Sequence, residues 1–258
     1  MEQMRYRLMD EELVRIDLPG TKNLHIEGIL RGSYDHPLVI MMHGRPGGGN
    51  GLLQYLGARY LYEQGFASLR LSMYSFEPNT RDLLDCKLQT HVDDFETVVD
   101  YVRQQGTKTV FGAGHSYGGL TILKSKAQLD GAVLWDPSHG NYWTEHSEPD
   151  PEFPEKTVGD IVVGLAGHGY VVSSAMNQAD FAMGDTTTWA AGKGYPLEII
   201  SAEKGELAQL GKRYIEVADE PKRQVVVGGA HHSFQDSDEV TMELFKQTAD
   251  WLKGIIND

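Results

Sequence analysis

The chain has 258 residues, 40% of them hydrophobic, enough to bury the core of one domain with room for an insertion. Its formal net charge of −14 argues against nucleic-acid binding, which needs a basic face to release counterions, and it would mildly attract cationic ligands. A single cysteine, Cys86, excludes an internal disulfide and suits a reducing compartment, so a cytoplasmic location is expected.

Residues Met1 to Arg7 are polar and lack the apolar segment of a signal peptide, and no apolar run approaches the length of a membrane span. From Glu12 to Gly32 the pattern reads as two antiparallel strands joined by turn chemistry at Leu18-Pro19-Gly20-Thr21. The run Leu38-Val39-Ile40-Met41-Met42 predicts a strand buried on both faces of a parallel sheet. It ends in His43-Gly44-Arg45-Pro46-Gly47-Gly48-Gly49, a loop whose backbone can approach a ligand closely. Neither nucleotide-binding glycine spacing is present, so a phosphate cradle is disfavoured and an oxyanion hole is the better use.

Gly51 to Gln64 carries Leu52, Leu53, Leu56, Tyr60 and Leu61 at helical spacing, and Phe66 to Leu71 reads as the next buried strand. Thr90-x-x-Asp93 resembles a capping box that opens a helix with the apolar face Val92, Phe95, Val98, Val99 and Val102, ended by Gly106. After the β-branched run Thr109-Val110-Phe111 comes Gly114-His115-Ser116-Tyr117-Gly118-Gly119, then the helix-compatible Leu120-Thr121-Ile122-Leu123. A Gly-x-Ser-x-Gly between strand and helix puts Ser116 on a sharp turn at the sheet's C-terminal edge, beside the free N–H groups of a helix start. That is a nucleophile's position. The amides of Arg45 and Tyr117 are the candidate oxyanion donors.

Gly131 to Leu134 reads as a sixth strand, followed by Trp135-Asp136-Pro137. The rhythm then breaks until Tyr195, through an acidic stretch with Pro149, Pro151 and Pro154 and an apolar stretch from Asp160 to Val172 compatible with a short hairpin. Residues 138–195 are therefore expected to form a cap over Ser116, inserted into a core made of 1–137 and 196–258. Trp135, Tyr142, Trp143, Phe181 and Trp189 are candidates to line a pocket there or to form the insertion's own core. Pro196 to Ser201 and Arg223 to Val227 supply the last strands, and Val240, Leu244, Phe245 and Leu252 mark a closing amphipathic helix. Strands alternating with helices in this way predict an α/β, doubly wound, mostly parallel sheet.

Past the last strand lies Gly229-Ala230-His231-His232-Ser233-Phe234, where a histidine can serve a serine as general base. With His43-Gly44, Gly114-x-Ser116-x-Gly118 and this terminal block in that order, nearly the whole chain resembles the α/β-hydrolase superfamily. The resemblance implies a serine hydrolase without cofactor or metal. It favours His232 over His231 as the base and leaves His115 as a supporting residue of the turn. In most relatives the acid follows the strand after the cap, but here that segment reads Ile200-Ser201-Ala202-Glu203-Lys204-Gly205-Glu206, with glycine at the expected aspartate. Glu206 stands one residue late. Asp136, in a Leu-x-Asp-Pro setting similar to that of some lipases, is the favoured alternative. The leading expectation is a small-molecule carboxylic ester as substrate, hydrolysed through Ser116, His232 and Asp136. The loop is also similar to the His-Gly-Gly-Pro-Gly-Gly-Gly of proline iminopeptidases, which keeps an aminopeptidase in view, and a non-catalytic binding protein of the same fold is a third reading.

Overall fold

A computed structural model describes residues 11–45, 47–141, 156–159, 161–164 and 170–257. Its strands are β1 (Glu11–Asp17), β2 (His25–Arg31), β3 (Leu38–Met42), β4 (Ala67–Ser72), β5 (Val110–His115), β6 (Gly131–Trp135), β7 (Lys156–Val158), β8 (Ile161–Gly164), β9 (Tyr170–Ser173), β10 (Leu197–Ala202) and β11 (Lys222–Val227). The main sheet runs β1-β2-β4-β3-β5-β6-β10-β11. Strand β2 alone opposes its neighbours, pairing antiparallel with β1 and β4, while every other adjacent pair is parallel.

Helices α1 (Leu52–Glu63), α2 (Leu88–Gln104), α3 (Tyr117–Lys124), α4 (Ser174–Phe181), α5 (Leu207–Val217) and α6 (Asp238–Asn257) follow in chain order. Two apolar layers sandwich the sheet. Phe95, Val98 and Val102 of α2, Ile122 and Leu123 of α3 and Tyr214 of α5 cover one face, and Leu53 and Leu61 of α1 with Leu244, Phe245 and Leu252 of α6 cover the other. The two-residue period of a strand decides which layer each side chain joins. Along β3, Leu38, Ile40 and Met42 face α2, α3 and α5, whereas Val39 and Met41 face α1 and α6.

The same alternation corrects one expectation. On β6, Ala132 and Leu134 point one way and Val133 and Trp135 the other, so Trp135 lies in the layer under α1 and α6 and lines no pocket over Ser116. Its indole Nε1–H donates to Thr248 Oγ1 at 2.9 Å, and its ring packs on Phe245 at 6.0 Å. Gly57 lets α1 come this close: a Cβ there would stand 3.2 Å from Trp135 Cη2 and 3.1 Å from both Met41 Cε and Phe245 Cε1. Trp135→Ala is expected to destabilise the fold by about 3–5 kcal/mol in urea unfolding, chiefly the cost of an emptied aromatic site, since Thr248 keeps its bond to Leu244 O.

Helix α2 starts three residues earlier than its capping signature suggests. Thr90 is its third residue, and the hydroxyl accepts from Lys87 N at 2.9 Å and donates to Lys87 O at 2.8 Å. Helix α5, which buries Leu210 and Tyr214, was not anticipated.

Between β6 and β10 the chain builds a separate antiparallel sheet, β7-β8-β9, so the expected hairpin is β8–β9 with a third strand added. Ser173 caps α4 by accepting from Met176 N at 3.0 Å. Val172 and Met176 pack with Leu88 and Val92 of α2, Tyr117 and Leu120 of α3, and buried Cys86. The insertion is thereby seated on the helix that follows Ser116. Tyr142, Trp143 and the acidic proline-containing stretch lie outside the described residues, while Phe181 and Trp189 are half-buried in them. Among the described residues no helix is long and apolar enough to cross a membrane.

Candidate active site

Ser116 joins β5 to α3 with φ 53° and ψ −117°, a conformation non-glycine residues adopt only under constraint. The constraint is closeness of backbone. A Cβ on Gly114 would stand 2.6 Å from Gly119 N, and one on Gly118 would stand 2.7 Å from the carbonyl oxygens of both Met42 and His43. The turn is pinned by Ser116 N donating to Trp135 O at 2.9 Å and by Ser138 N donating to Ser116 O at 3.0 Å. The Ser116 hydroxyl lies 3.2 Å from Ser138 Oγ, its hydrogen-bond partner.

Asp136 leaves β6 with φ 45°, which turns its carboxylate to the C-terminal edge of the sheet. Its Oδ2 accepts from His232 Nδ1 at 2.6 Å, and its Oδ1 accepts from Ala202 N, at the end of β10, at 3.2 Å. Strand β10 thus donates an amide to a carboxylate at the end of its neighbour β6. The His232 loop is anchored by buried Ala230 and Phe234, and Phe234 N donates to His231 O at 2.9 Å. His115 fixes the loop from below, its Nε2–H donating to His232 O at 2.8 Å. Burial pushes the His115 imidazole down to about 3, so it stays neutral and acts as a strut. His231 turns outward, its side chain 62% exposed and paired with Asp236. Glu206 is exposed at the start of α5.

The glycine-rich loop is held by a second neutral histidine. His43 Nδ1–H donates to Gly44 O at 2.7 Å, and Nε2 accepts from Met73 N at 3.1 Å. Both bonds require the neutral ring, and burial holds its pKa at about 4. Tyr74 stands edge-on to His43, with ring centroids 5.2 Å apart, and its hydroxyl accepts from Gly47 N at 2.8 Å. Gly44 passes so near the nucleophile turn that a Cβ there would lie 3.0 Å from Ser116 Cβ. The Arg45 side chain leaves the loop to pair with Asp180 of α4, and its guanidinium lies 5.1 Å from the centroid of the Tyr117 ring. The Tyr117 hydroxyl donates to the other oxygen of the same carboxylate at 3.0 Å.

His91 on α2 sits between Tyr74 and Tyr117, and its Nε2 has no hydrogen-bond partner among the described residues. Burial lowers its pKa from 6.5 to about 3. The unfolded chain therefore binds this proton first, and stability is lost as pH falls from the unfolded value toward the folded one. Buried carboxyls raised by burial, such as Glu198 at about 7, act in the opposite sense, so the contribution is read by difference. His91→Leu is expected to flatten the acid limb of the curve of urea-unfolding free energy against pH between pH 6.5 and pH 4, with a limiting change in slope of about 1.4 kcal/mol per pH unit for one proton. Parallel curves for mutant and wild type would contradict this.

No family model matches the sequence, and no curated protein matches it. Solved structures do match. Est1E from Butyrivibrio proteoclasticus superposes with a TM-score of 0.73 at 18% identity, over 95% of this chain and 99% of that one. The alpha/beta hydrolase GrgF from Penicillium sp. sh18 gives 0.76 at 13%, over 96% and 99%. Alpha/beta hydrolase domain-containing protein 10 from mouse gives 0.74 at 12%, over 95% and 99%. The chain has the α/β-hydrolase fold. The likeness extends over essentially the full length of each neighbour.

Within this fold, Asp136 at the end of β6 meets His232 from the loop after β11, although they are 96 residues apart, and Ser116 stands at the end of neighbouring β5, where its hydroxyl bonds Ser138 and not His232. Three contributors were not anticipated: Ser138 on the Ser116 hydroxyl, Tyr74 on the glycine loop, and Asp180 on Arg45 and Tyr117. Ser138, two residues past Asp136, was findable from its neighbourhood. Asp180 carries no sequence signal, because it is 135 residues from one partner and 63 from the other. Among the described residues no group of three or more His, Cys, Asp or Glu is placed to hold a metal ion.

Proposed function

We propose that this protein is a serine hydrolase that cleaves carboxylic esters through an acyl-enzyme, with Ser116 as nucleophile, His232 as general base and acid, and Asp136 as the carboxylate that orients His232. The observation that carries this reading is the 2.6 Å bond from His232 Nδ1 to buried Asp136, beside a serine held on a strained strand-to-helix turn. With Nδ1–H donated to Asp136, Nε2 is left as the basic nitrogen. In the reaction the Ser116 hydroxyl gives up Ser138 as partner and donates to this nitrogen, then attacks the ester carbonyl as its proton passes to Nε2. The tetrahedral oxyanion is met by the amides of Arg45 and Tyr117, the latter opening α3, where the helix dipole adds to the donors. Collapse expels the alcohol, which takes the proton from His232. Water, deprotonated by His232, then attacks the acyl carbonyl and releases the acid and Ser116.

The insertion seated against Tyr117 serves, in this reading, as the cap that shapes the substrate pocket. Esters are preferred over aminoacyl amides because Asp180, the buried carboxylate that α4 brings here, is engaged by Arg45 and Tyr117 and does not hold a substrate ammonium. The neighbour Est1E is known in a form with ferulic acid bound, which makes an aromatic acid ester a sensible member of a test series. The test is a panel of p-nitrophenyl esters of increasing acyl length, methyl ferulate and prolyl p-nitroanilide, run beside labelling with a fluorophosphonate. One adduct by intact mass and ester cleavage well ahead of the amide are expected. A protein that neither labels nor cleaves any ester would overturn the reading, and a faster prolyl amide would move it to an aminopeptidase.

A further inference from the structure

The two residues whose amides face the oxyanion in this reading send their side chains to one carboxylate. Arg45 pairs with Asp180 Oδ2, Tyr117 Oη donates to Asp180 Oδ1 at 3.0 Å, and the guanidinium lies 5.1 Å from the Tyr117 ring centroid. Asp180 is 1% exposed and belongs to α4 of the insertion, whereas Arg45 and Tyr117 belong to the core. Burial pushes its carboxyl pKa up, and Arg45 and Tyr117 pull it down.

Two features make this more than an anchor. An oxyanion hole works only if its amides are held to within about half an ångström, yet Arg45 lies in a loop of glycines, the residues with most backbone freedom to lose. His43 and Tyr74 fix the loop at Gly44 and Gly47, on either side of Arg45. Asp180 fixes the residue between them and, through the phenol, ties it to the first residue of α3. The side-chain chemistry also suits a clamp. A guanidinium can bond a carboxylate along its edge while its face lies on an aromatic ring, which an ammonium cannot do as well. A lone carboxylate here would repel the developing oxyanion, and the paired one leaves the field of the amides intact.

We infer that Asp180 is a positioning residue for the oxyanion hole: its carboxylate clamps Arg45 and Tyr117 together, so that the two amides reach working geometry only when the insertion is docked. The inference rests on the ester-hydrolase reading. It concerns how the hole is held, and it assigns Asp180 no contact with substrate.

The test uses the full chain and compares wild type with Asp180→Asn and Asp180→Glu. Active sites are titrated with a fluorophosphonate, kcat is expressed per titrated site on p-nitrophenyl butyrate, and inhibition is measured with an alkyl trifluoromethyl ketone, whose hemiketal with Ser116 carries an oxyanion. Deleting a hole donor outright costs about 10²–10³ in kcat, so loosening two is expected to cost Asp180→Asn about 10- to 100-fold per titrated site. KM should stay within about threefold, and the ketone Ki should rise by the same factor as kcat falls. Asp180→Glu, which keeps the charge, should recover part of both. Fewer titratable sites or a lower Tm with kcat per site unchanged would overturn the inference and leave Asp180 an anchor, as would a rise confined to KM. If Asp180→Asn does not fold, Tyr117→Phe keeps the ring and the Arg45–Asp180 pair and removes one arm of the clamp. It should lose about three- to tenfold in kcat per site, in step with ketone affinity, and no change would overturn the inference. A wild type that neither labels nor hydrolyses esters sinks the functional reading and the clamp with it. An active wild type matched per site by Asp180→Asn sinks the clamp alone.

Discussion

Asp136→Asn is expected to lower kcat by about 10⁴-fold with little change in Tm, because the geometry forces an asparagine into the wrong orientation. The Asp136 carboxylate accepts on both sides, from Ala202 N at 3.2 Å and from His232 Nδ1 at 2.6 Å. An asparagine has one acceptor. A buried backbone N–H without a partner is costly, so the asparagine carbonyl is drawn to Ala202 and its amide turns to His232. That amide is a donor, and it selects the tautomer with Nδ1 bare and Nε2 protonated. The ring then presents a proton to Ser116 where a base is needed. Steady-state kinetics with active-site titration and a thermal melt check both halves of the expectation.

Glu206→Gln is the matched control, expected to stay within about twofold in kcat, since an exposed charge at the start of α5 is screened by solvent. Its measurable effect should be on stability, a loss of about 0.3–1 kcal/mol from removing a favourable charge near a helix N-terminus. The reverse ranking, with Glu206→Gln inactive and Asp136→Asn active, would return the acid to the segment after β10 and make Asp136 a support for the β6 exit.

The parts of this molecule legible in its sequence are those where one local constraint leaves few options. Leu38 to Met42 is apolar at every position because both faces of β3 are covered, and the glycines around Ser116 stand where backbones nearly touch. Asp136 was readable as an acid candidate because it stands at the tip of the sixth strand before a proline, a setting similar to that of some lipases, and the structure adds that this strand pairs with the one that ends at Ser116. Trp135 shows the opposite case. Its aromatic bulk suggested a pocket, but adjacent strand residues point to opposite faces, so Trp135 is committed to the α1/α6 layer by the register of Val133. Helix α5 had its signal in Leu207, Leu210 and Tyr214, at i, i+3 and i+7, diluted by the charged residues of an exposed helix. Thr90 was read one turn out of register because a hydroxyl can serve a helix start equally as its cap or as its third residue. Asp180 could not be read at all. Its meaning lies in meeting Arg45 and Tyr117 from a separate substructure, and no periodicity encodes that meeting.

Ser116→Ala is expected to remove the fluorophosphonate adduct entirely and to lower kcat by a factor on the order of 10⁶, the scale seen when a serine nucleophile is deleted from an intact site. Activity left over would belong to water held in the oxyanion hole. Labelling or ester cleavage that survives in this variant would show that another nucleophile does the chemistry. The backbone supplies a second, independent readout at the same position. With φ 53° and ψ −117°, Ser116 holds its Cβ in a conformation that costs about 1–3 kcal/mol for any residue but glycine. Alanine keeps that Cβ and its strain, whereas glycine releases it. Ser116→Gly should therefore be as inactive as Ser116→Ala yet unfold at a higher urea midpoint. The margin is set by relieved strain minus the extra chain entropy that glycine loses on folding, about 0.5–1 kcal/mol. An Ala variant as stable as the Gly variant would mean that the turn is relaxed and that the glycines around it, rather than the serine, absorb the bend. A more stable Gly variant would show that the fold gives up stability to hold this one hydroxyl on the strand-to-helix turn, as expected of a residue selected for its chemistry and not for its packing.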